Sequence, residues 1–217
     1  MAKTRYRGVK TLLVNGPAGA AAPHEPSAAS QDNLDRPYAT ACTAFLNLWT
    51  EIRGEKLVPN ITRFCAALGA PFAATTSIVE LQDNAAPVRF QGEALIARWG
   101  LDMTGEDLYG TFPHYARTRA LSNIARAAAH PCGYFGVNRV NVPGKGPVTS
   151  HFIQLPLLSE DGATSYIAHF SVEQPVEDDD APKSRYYRSR GTGWIDIGAG
   201  IPAQRPYILD PPRAAQG

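Results

Sequence analysis

Apolar residues in the first part of the chain recur at the spacing expected of two helices. From Tyr38 to Arg53 they lie three and four residues apart, which places them on one face of a helix. Pro59 is expected to precede the start of a second helix, whose apolar face continues to Gly69. The apolar positions are Ala41, Phe45, Leu48, Trp49 and Ile52 in the first helix and Ile61, Phe64, Cys65 and Leu68 in the second. Two helices are therefore expected ahead of the first strand.

Two short runs then carry the signals of β-strands. Residues 72–81 are rich in β-branched side chains, and residues 87–91 follow a turn. In the second run Val88 and Phe90 alternate with polar residues, which is the pattern of a half-buried strand. Gly92 ends this run, and together the two runs predict a hairpin.

A short helix and a tight turn follow the hairpin. Between Glu93 and Trp99 the apolar residues recur at helical spacing, and Gly100 stands where a helix commonly ends. The dipeptide Thr104-Gly105 predicts a turn in which Gly105 has a positive φ. Trp99 is expected in the core, or alternatively in the wall of a ligand cavity.

The next region predicts one long helix and three strands. The helix runs from His114 to His130, and the following proline stops it. Strands are predicted at 134–142, 148–158 and 166–172, because these runs are apolar or alternating and are bounded by turn residues.

The order of these elements predicts an α+β fold. The chain has two strands, then a group of helices, then three strands. The five strands are expected to form an antiparallel sheet with the helices on one face, and the Tyr38–Arg53 helix is an N-terminal addition. The residues expected to form the core are Val88, Phe90, Leu95, Trp99, Leu121, Ile124, Phe152, Leu155, Ile167, Ala168 and Phe170.

Composition divides the chain into three parts. Residues 1–36 are rich in Ala, Gly, Pro and Ser and are predicted to form a flexible leader. Residues 37–174 form the folded domain. Residues 175–217 form a tail, in which an acidic and a basic run precede a Gly- and Pro-rich end. The apolar residues Trp194, Ile195 and Ile197 are the part of this tail that could dock on the domain or on a partner.

The hairpin and the turn after it contain a pattern found in a known family. It reads Arg-x-x-Gly and then Gly-x-Asp-x-Thr-Gly, and it consists here of Arg89, Gly92, Gly100, Asp102, Thr104 and Gly105. Together with the Leu155-Pro156-Leu157 segment, this pattern resembles a bacterial PAS-domain subfamily, over about Phe45 to Val172. The resemblance implies a PAS-like sheet and a sensory or protein-interaction role without catalysis.

Composition and charge argue against several function classes. The chain has 217 residues, of which 44% are hydrophobic and 19% charged, and its net charge is +1. This balance is that of a globular protein and provides no overall attraction for nucleic acid. The basic run Arg185–Arg190 is nearly cancelled by an adjacent acidic run. No apolar run is long enough to cross a membrane. Neither nucleic acid nor a membrane is therefore expected as a partner.

The cysteines and the N-terminal residues indicate a compartment. Cys42, Cys65 and Cys132 are odd in number and lack metal-ligand spacing, so buried free thiols in a reducing environment are expected. The apolar run Thr11–Val14 is too short for a signal peptide. A cytoplasmic location is therefore the expectation.

Residues with recognisable chemistry are few. His151 and His169 lie on neighbouring predicted strands, from which both could point at a common ligand. Ser150, Ser171 and Asp161 supply residue types of a nucleophilic triad, but no Gly-x-Ser-x-Gly segment surrounds either serine. No catalytic residue and no metal ligand are assigned, and any cofactor stays unidentified.

Two functions of different class remain. The first is a non-catalytic PAS-type module that binds a small molecule or a signalling partner and responds by a shift in conformational populations. No kinase, cyclase or helix-turn-helix signature accompanies it, which suggests a stand-alone regulator. The second is a small α+β enzyme acting on an apolar substrate, which would need a perturbed acid–base pair. The sensory module is preferred because no such pair is recognisable.

The sequence also predicts a ligand-binding site, four turn residues and a dimer interface. The residues expected to bind a ligand are Trp99, Tyr115, Leu121, His151 and His169, and those expected to shape turns are Gly92, Gly100, Thr104 and Gly105. The apolar face of the Tyr38–Arg53 helix must be buried. We expect a second copy to bury it in a homodimer, and the alternative is packing on the outer face of its own sheet.

Overall fold

The computed structural model describes residues 37–142, 146–176 and 188–209 of the chain. Its helices are α1 (Pro37–Arg53), α2 (Ile61–Ala67), α3 (Ala70–Ala73), α4 (Glu93–Trp99) and α5 (His114–Ala129). Its strands are β1 (Thr76–Glu80), β2 (Val88–Gln91), β3 (Gly133–Val142), β4 (Gly146–Leu158), β5 (Ser165–Pro175) and β6 (Arg188–Ile195). Every helix and strand expected from the sequence is present, and α3 and β6 are additional.

The strands form one antiparallel sheet. Their order across it is β2-β1-β5-β4-β3-β6. Two strands, then helices, then three strands build the first five positions, so the predicted α+β fold with an antiparallel sheet is confirmed. The expected number of five strands is wrong by one, because β6 pairs with the free edge of β3.

Strand β6 comes from a segment that the sequence assigned to the tail. Its sequence ends in apolar residues but begins Arg-Ser-Arg-Gly-Thr-Gly, so it lacks the periodic pattern of a strand. Gly193 is required where β6 passes Phe135, because a Cβ there would lie 2.5 Å from the Phe135 ring. Trp194 then packs on Tyr134, with ring centroids 5.6 Å apart. The domain boundary at residue 174 stays a prediction, and the predicted leader lies outside the described residues.

Helices cover both faces of the sheet. The inner face, which contains Ile167 and His169 of β5, lies toward α4 and α5, and Ile167 packs with Ile124 of α5. The outer face, which contains Ala168 and Phe170, packs against α1. The prediction that the helices share one face therefore holds for α4 and α5, whereas α1 lies on the opposite side.

An aromatic cluster fastens α1 to the outer face. Phe45 and Trp49 are fully buried, and the Phe45 ring stacks on Phe170 with centroids 4.6 Å apart. The Trp49 indole Nε1 donates a hydrogen bond of 3.0 Å to the carbonyl oxygen of Pro156. Proline is tolerated at this place in β4 because β3 has no residue opposite it, so its missing N–H is not needed.

This packing removes the reason for expecting a dimer through α1. Phe45 and Trp49 are 0% exposed in the single chain, so a second copy is not needed to cover the apolar face. The alternative, packing on the outer face of the same sheet, is the arrangement found. Homodimer formation itself stays a prediction.

A β-bulge explains why Phe90 is not in the core. Ile78 pairs with Phe90 whereas Val79 pairs with Val88, so β2 has one extra residue between these pairs. The bulge brings Val88 and Gln91 to the inner face and leaves Phe90 38% exposed. The strict alternation predicted for this strand is therefore wrong after Val88.

The other residues predicted for the core differ in how deeply they are buried. Trp99 and Leu121 are only half-buried. Cys65, expected as a buried thiol, is exposed because the short helix α2 turns only Phe64 inward, whereas Cys42 and Cys132 are buried free thiols as predicted. The core positions that are buried as expected are Val88, Leu95, Ile124, Phe152, Leu155, Ile167, Ala168 and Phe170.

The turn predicted after α4 is present. Gly100 ends α4 in the left-handed conformation with φ 67°, and Gly105 has φ 90° as expected. The Asp102 carboxylate accepts a hydrogen bond of 2.9 Å from the Thr104 amide. The Gly105 amide donates to the carbonyl oxygen of Val88 at 2.8 Å, which holds the turn against β2.

Gly92 joins β2 to α4 at a point of close backbone contact. It is the N-cap residue of α4, and its amide donates to the carbonyl oxygen of Thr76 at 2.8 Å. A Cβ at this position would lie 2.1 Å from the carbonyl oxygen of Ala73 and 2.3 Å from that of Ala74. Glycine is therefore needed here for α4 to start beside the end of α3.

We expect Gly92→Ala to lower the free energy of unfolding by about 3 kcal/mol, because backbone must move to admit the methyl group. Gly69→Ala is the matched control. Gly69 is also an N-cap, with φ −66° and ψ 156° against −68° and 148° at Gly92, and the nearest atom to its added Cβ is 3.9 Å away. The control should change stability by less than about 0.5 kcal/mol in urea denaturation. Equal losses in both variants would contradict the steric explanation.

Candidate ligand-binding site

A cavity of about 270 Å³ lies between the inner face of the sheet and helices α4 and α5. Large apolar side chains form much of its wall, including Leu95 and Trp99 of α4, Phe112 before α5 and Phe152 of β4. Engineered apolar cavities of about 150 Å³ are large enough to bind benzene. The space in this domain can therefore hold a larger organic molecule.

The floor of the cavity is a row of side chains that crosses the whole sheet. The strand register places one residue of each strand next to its neighbour, and alternation along each strand turns all of them to the same face. From β2 to β6 the row consists of Gln91, Ser77, His169, Gln154, Tyr134 and Trp194. The first five of these residues line the cavity.

Gln154 connects this row to the segment before α5. Its Nε2 donates a hydrogen bond of 3.0 Å to the Tyr109 hydroxyl and lies 3.1 Å from Nδ1 of His169. Because an amide nitrogen only donates, Nδ1 is the acceptor, and the proton of the neutral His169 ring is on Nε2. Burial raises the pKa of Tyr109 to about 12, so its hydroxyl keeps its proton.

His169 is held in its neutral form. Burial lowers the pKa of its ring to about 4, and the nearby positive charge of Arg98 lowers it further in the same direction. The ring is stacked on Phe152 with centroids 5.4 Å apart. At neutral pH the floor of the cavity is therefore polar but uncharged at this position.

Two polar atoms on the row have no partner. Among the described residues, nothing hydrogen-bonds to Gln154 Oε1 or to the Tyr134 hydroxyl, and both atoms are shielded from solvent. Burial raises the pKa of Tyr134, and the neighbouring Tyr109 raises it further. The Asn123 side chain approaches the Tyr134 hydroxyl and lowers this pKa, but no contact to the hydroxyl meets hydrogen-bond geometry among the described residues. An unsatisfied buried polar atom costs about 1–3 kcal/mol. These two groups are therefore available to a bound molecule.

The charged side chains of Arg98 and Glu173 lie near the cavity but outside its lining, and they form an ion pair with each other. Arg98 Nε lies 3.0 Å from Glu173 Oε2, and the two side chains are 10% and 11% exposed. Arg98 also donates to the Ser171 hydroxyl at 3.0 Å. This arrangement ties the last turn of α4 to β5 and so holds Trp99 in place. No Asp, Glu, Lys or Arg is among the described residues that line the cavity.

A second ion pair holds the segment between α4 and α5. Arg117 lies 2.7 Å from Asp107 Oδ2 and also donates to the carbonyl oxygen of Asn84. Asp107 Oδ1 accepts hydrogen bonds from the amides of Ala86 and Tyr109. Burial by itself would raise the pKa of Asp107, but these hydrogen bonds and Arg117 lower it overall. The contacts place Tyr109 where its hydroxyl reaches Gln154.

The segment after β6, which we call the strap (residues 196–209), runs from the outer side of the sheet to the cavity. Near its start Ile197 belongs to the aromatic cluster beneath α1, and its carbonyl oxygen accepts a hydrogen bond of 2.6 Å from Arg53. At its end Leu209 lines the cavity. The strap therefore contacts both sides of the domain.

Helix α5 holds the end of the strap. Asn123 donates to the carbonyl oxygen of Tyr207 at 2.9 Å and accepts from its amide at 2.8 Å. The Arg126 guanidinium lies 4.5 Å from the centre of the Tyr207 ring and donates to its hydroxyl at 2.9 Å, and Arg119 donates to Ile208 at 3.0 Å. Asn123 also lines the cavity, so one side chain contacts both the strap and the space inside.

The predicted ligand-binding residues divide into two groups. Trp99 and His169 line the cavity. Tyr115 and Leu121 do not, because α5 turns other positions inward; Tyr115 instead lies under the Arg119 guanidinium. His151 is on the outer face, where it lines a smaller space of about 100 Å³ beside Cys42. His151 and His169 therefore do not face a common ligand.

Most of the cavity lining was not predicted from the sequence, including the polar residues Tyr109, Tyr134 and Gln154. Tyr134 and Gln154 stand in largely apolar strands, and only the strand register brings Gln154 beside Tyr134 and His169. The only sequence signal for these two residues was a polar side chain within a largely apolar strand.

Other candidate chemistry is not assembled. Ser150 and Ser171 line the cavity, but His151 is on the other face and Asp161 bonds to Ser159 in the β4–β5 turn. Within the described ranges no group of three or more His, Cys, Asp or Glu side chains could hold a metal ion. No helix in the same ranges is long and apolar enough to cross a membrane.

We expect His169 to make the fold sensitive to acid. The ring has a pKa of about 4 in the folded protein against 6.5 as the ordinary value, so between these values the unfolded chain binds a proton that the folded protein does not. Stability is full above pH 6.5 and falls as the pH falls. The loss reaches about 2 kcal/mol at pH 5.

The measurement is urea denaturation at pH 7 and pH 5. His169→Gln should lose about 2 kcal/mol less than the original protein between the two pH values. His114→Gln, which alters an exposed histidine, is the control and should follow the original protein. An identical pH response in all three proteins would show that His169 titrates normally.

Comparisons with known proteins return similar structures but no family. No protein-family model matches the chain, and no curated protein sequence matches it. A sensory box sensor histidine kinase from Vibrio cholerae is similar at 17% identity, over 46% of this chain and 77% of that chain, with a TM-score of 0.34. A variant of the LOV protein RsLOV is similar at 14% identity, over 52% of this chain and 68% of that chain, with a TM-score of 0.40. Both neighbours are PAS-fold proteins.

Proposed function

We propose that the chain is a non-catalytic sensory module that binds a small organic molecule in the cavity above the sheet and responds through the strap. The observation that carries the proposal is the cavity itself, with about 270 Å³ of space, an apolar wall and a polar floor. Small-molecule sites usually combine a concave apolar surface with a few placed polar groups.

The polar floor supports a binding role over a purely structural one. Tyr134 and Gln154 are 3% and 4% exposed, and each has a polar atom without a partner among the described residues. Buried polar groups in folded proteins are normally satisfied, so such exceptions need an explanation. A ligand that bonds to them supplies one.

The strap supports a way to transmit binding. Leu209 and Asn123 both line the cavity, and Asn123 holds the Tyr207 backbone. A ligand that contacts Asn123 or Leu209 differently in the held and released states of the strap shifts the balance between them by its difference in affinity. A protein partner would then recognise the position of the strap.

An enzymatic role has less support in the cavity. General base catalysis is most effective when the pKa of the base is near the working pH. Burial lowers the pKa of His169 to about 4, which makes its ring a weak base at neutral pH. The sensory function is therefore the one proposed.

Native mass spectrometry of the full chain tests the ligand. We expect the purified protein, or the protein after incubation with a cell extract, to carry a small molecule that is released on denaturation. Ala120→Leu should abolish this binding because Ala120 lines the cavity, so the larger side chain takes up its space. Its free energy of unfolding should stay within about 1 kcal/mol of the original protein, since the space is empty of protein atoms.

Ala116→Leu is the matched control. Ala116 lies one turn earlier on α5 and is buried without lining the cavity. It should retain the small molecule but lose about 1–3 kcal/mol through overpacking. A protein that never acquires a bound molecule, or an Ala120→Leu variant that keeps it, would contradict the proposal.

Hydrogen exchange tests the link between the cavity and the strap. The Tyr207 amide donates to Asn123 Oδ1 at 2.8 Å, so Asn123→Ala should make this amide exchange at least about tenfold faster. Thr118→Ala, an exposed position on the same helix, should leave its exchange unchanged. Unchanged exchange at Tyr207 in Asn123→Ala would mean that other contacts hold the strap.

A further inference from the structure

We infer that the cavity binds an uncharged, flat ring compound that carries a hydrogen-bond donor and an acceptor side by side on one edge, as a cyclic amide does. This inference rests on the proposed function, because it names the class of ligand for the same cavity. Charge, shape and hydrogen bonding each restrict the class.

The charge of the lining excludes an ionic ligand. None of the described residues that line the cavity is Asp, Glu, Lys or Arg. Arg98, which donates a hydrogen bond to the lining residue Ser171, is already paired with Glu173 at 3.0 Å. A buried ion without a counter-charge is strongly disfavoured. A carboxylate, phosphate or ammonium group would therefore have to stay outside.

The shape of the space favours a flat ring. The floor is the inner face of the sheet, where the rings of Phe152 and His169 lie nearly parallel, with 24° between their planes. Trp99 and Phe112 stand in the wall. Four aromatic side chains therefore contribute to the cavity surface, and aromatic surface packs well against a planar ring.

The polar edge follows from the two atoms without partners. Tyr134 and Gln154 are directly opposite each other on β3 and β4, so their side chains are neighbours. Gln154 Oε1 is an acceptor and needs a donor, whereas the Tyr134 hydroxyl donates or accepts. A ligand with an N–H and a carbonyl next to each other satisfies both at once.

Two other amide side chains of the lining, Gln91 and Asn123, are already committed. Gln91 accepts from the Met103 amide and donates to the carbonyl oxygen of Leu101. Asn123 uses both groups of its amide on Tyr207. A ligand without a polar edge would leave the Tyr134 and Gln154 atoms unsatisfied, which weakens the binding of a pure hydrocarbon.

Isothermal titration of the full chain with three bicyclic probes of similar size tests this class. Carbostyril is a neutral lactam with adjacent N–H and carbonyl groups, naphthalene has no polar edge, and quinaldate has a negative charge. We expect carbostyril to bind at least about tenfold more tightly than either of the others. Equal or tighter binding of naphthalene or quinaldate would overturn the inference.

Tyr134→Phe identifies the group responsible. It removes only a hydroxyl without a partner, so the fold should be at least as stable as before in urea denaturation. The affinity for carbostyril should fall about tenfold while that for naphthalene stays the same. Tyr166→Phe, which removes a hydroxyl outside the cavity lining, is the control and should change neither affinity. An unchanged ratio in Tyr134→Phe would overturn the assignment of the polar edge.

The two proposals fail in different ways. If naphthalene or quinaldate binds, and Ala120→Leu abolishes that binding, the cavity is a ligand site but its ligand class is not the one inferred here. If none of the probes binds and no molecule co-purifies, both the ligand class and the proposed function are wrong.

Discussion

The packing of α1 against the outer face of the sheet is the constraint on which the rest of the structure depends. Phe45 and Trp49 are fully buried there, and Trp49 also bonds to the Pro156 carbonyl oxygen. Burying each such side chain contributes about 1.5–3 kcal/mol. Because the outer side is closely packed, the inner face can keep a cavity and two unsatisfied polar atoms, both of which cost stability. The closely packed core beneath α1 and the cavity therefore lie on opposite faces of one sheet.

The strap connects these two faces. Ile197 is part of the cluster beneath α1, Tyr207 is held by Asn123 on α5, and Leu209 reaches the cavity. A ligand that changes the Asn123 or Leu209 contacts would therefore affect a segment that is also anchored on the outer side. The floor around His169 is neutral and no charged side chain lines the described part of the cavity, so the proposed ligand would be recognised by shape and hydrogen bonding.

Local pattern predicted most of the elements and part of the site. Trp99 was recognised as a possible cavity wall because it is the large aromatic beside a turn. His169 was recognised because it and His151 lie on neighbouring predicted strands, from which both could face a common ligand. Tyr134 and Gln154 were missed, because a polar residue within an apolar run does not reveal which face it occupies. His151 lies on the outer face although it is on the strand next to His169. The reason is that odd and even positions of β4 point to opposite faces, and Gln154 is the residue opposite His169.

The sequence by itself determined the α+β order and every element except α3 and β6, because these follow from periodicity over neighbouring residues. Only the tertiary structure decided which face α1 covers, that the Gly-rich segment of β6 joins the sheet, and that a bulge exposes Phe90. Each of these depends on contacts between segments far apart in the chain. The row from Gln91 to Trp194 has the same origin, because it exists only once six strands are paired in register.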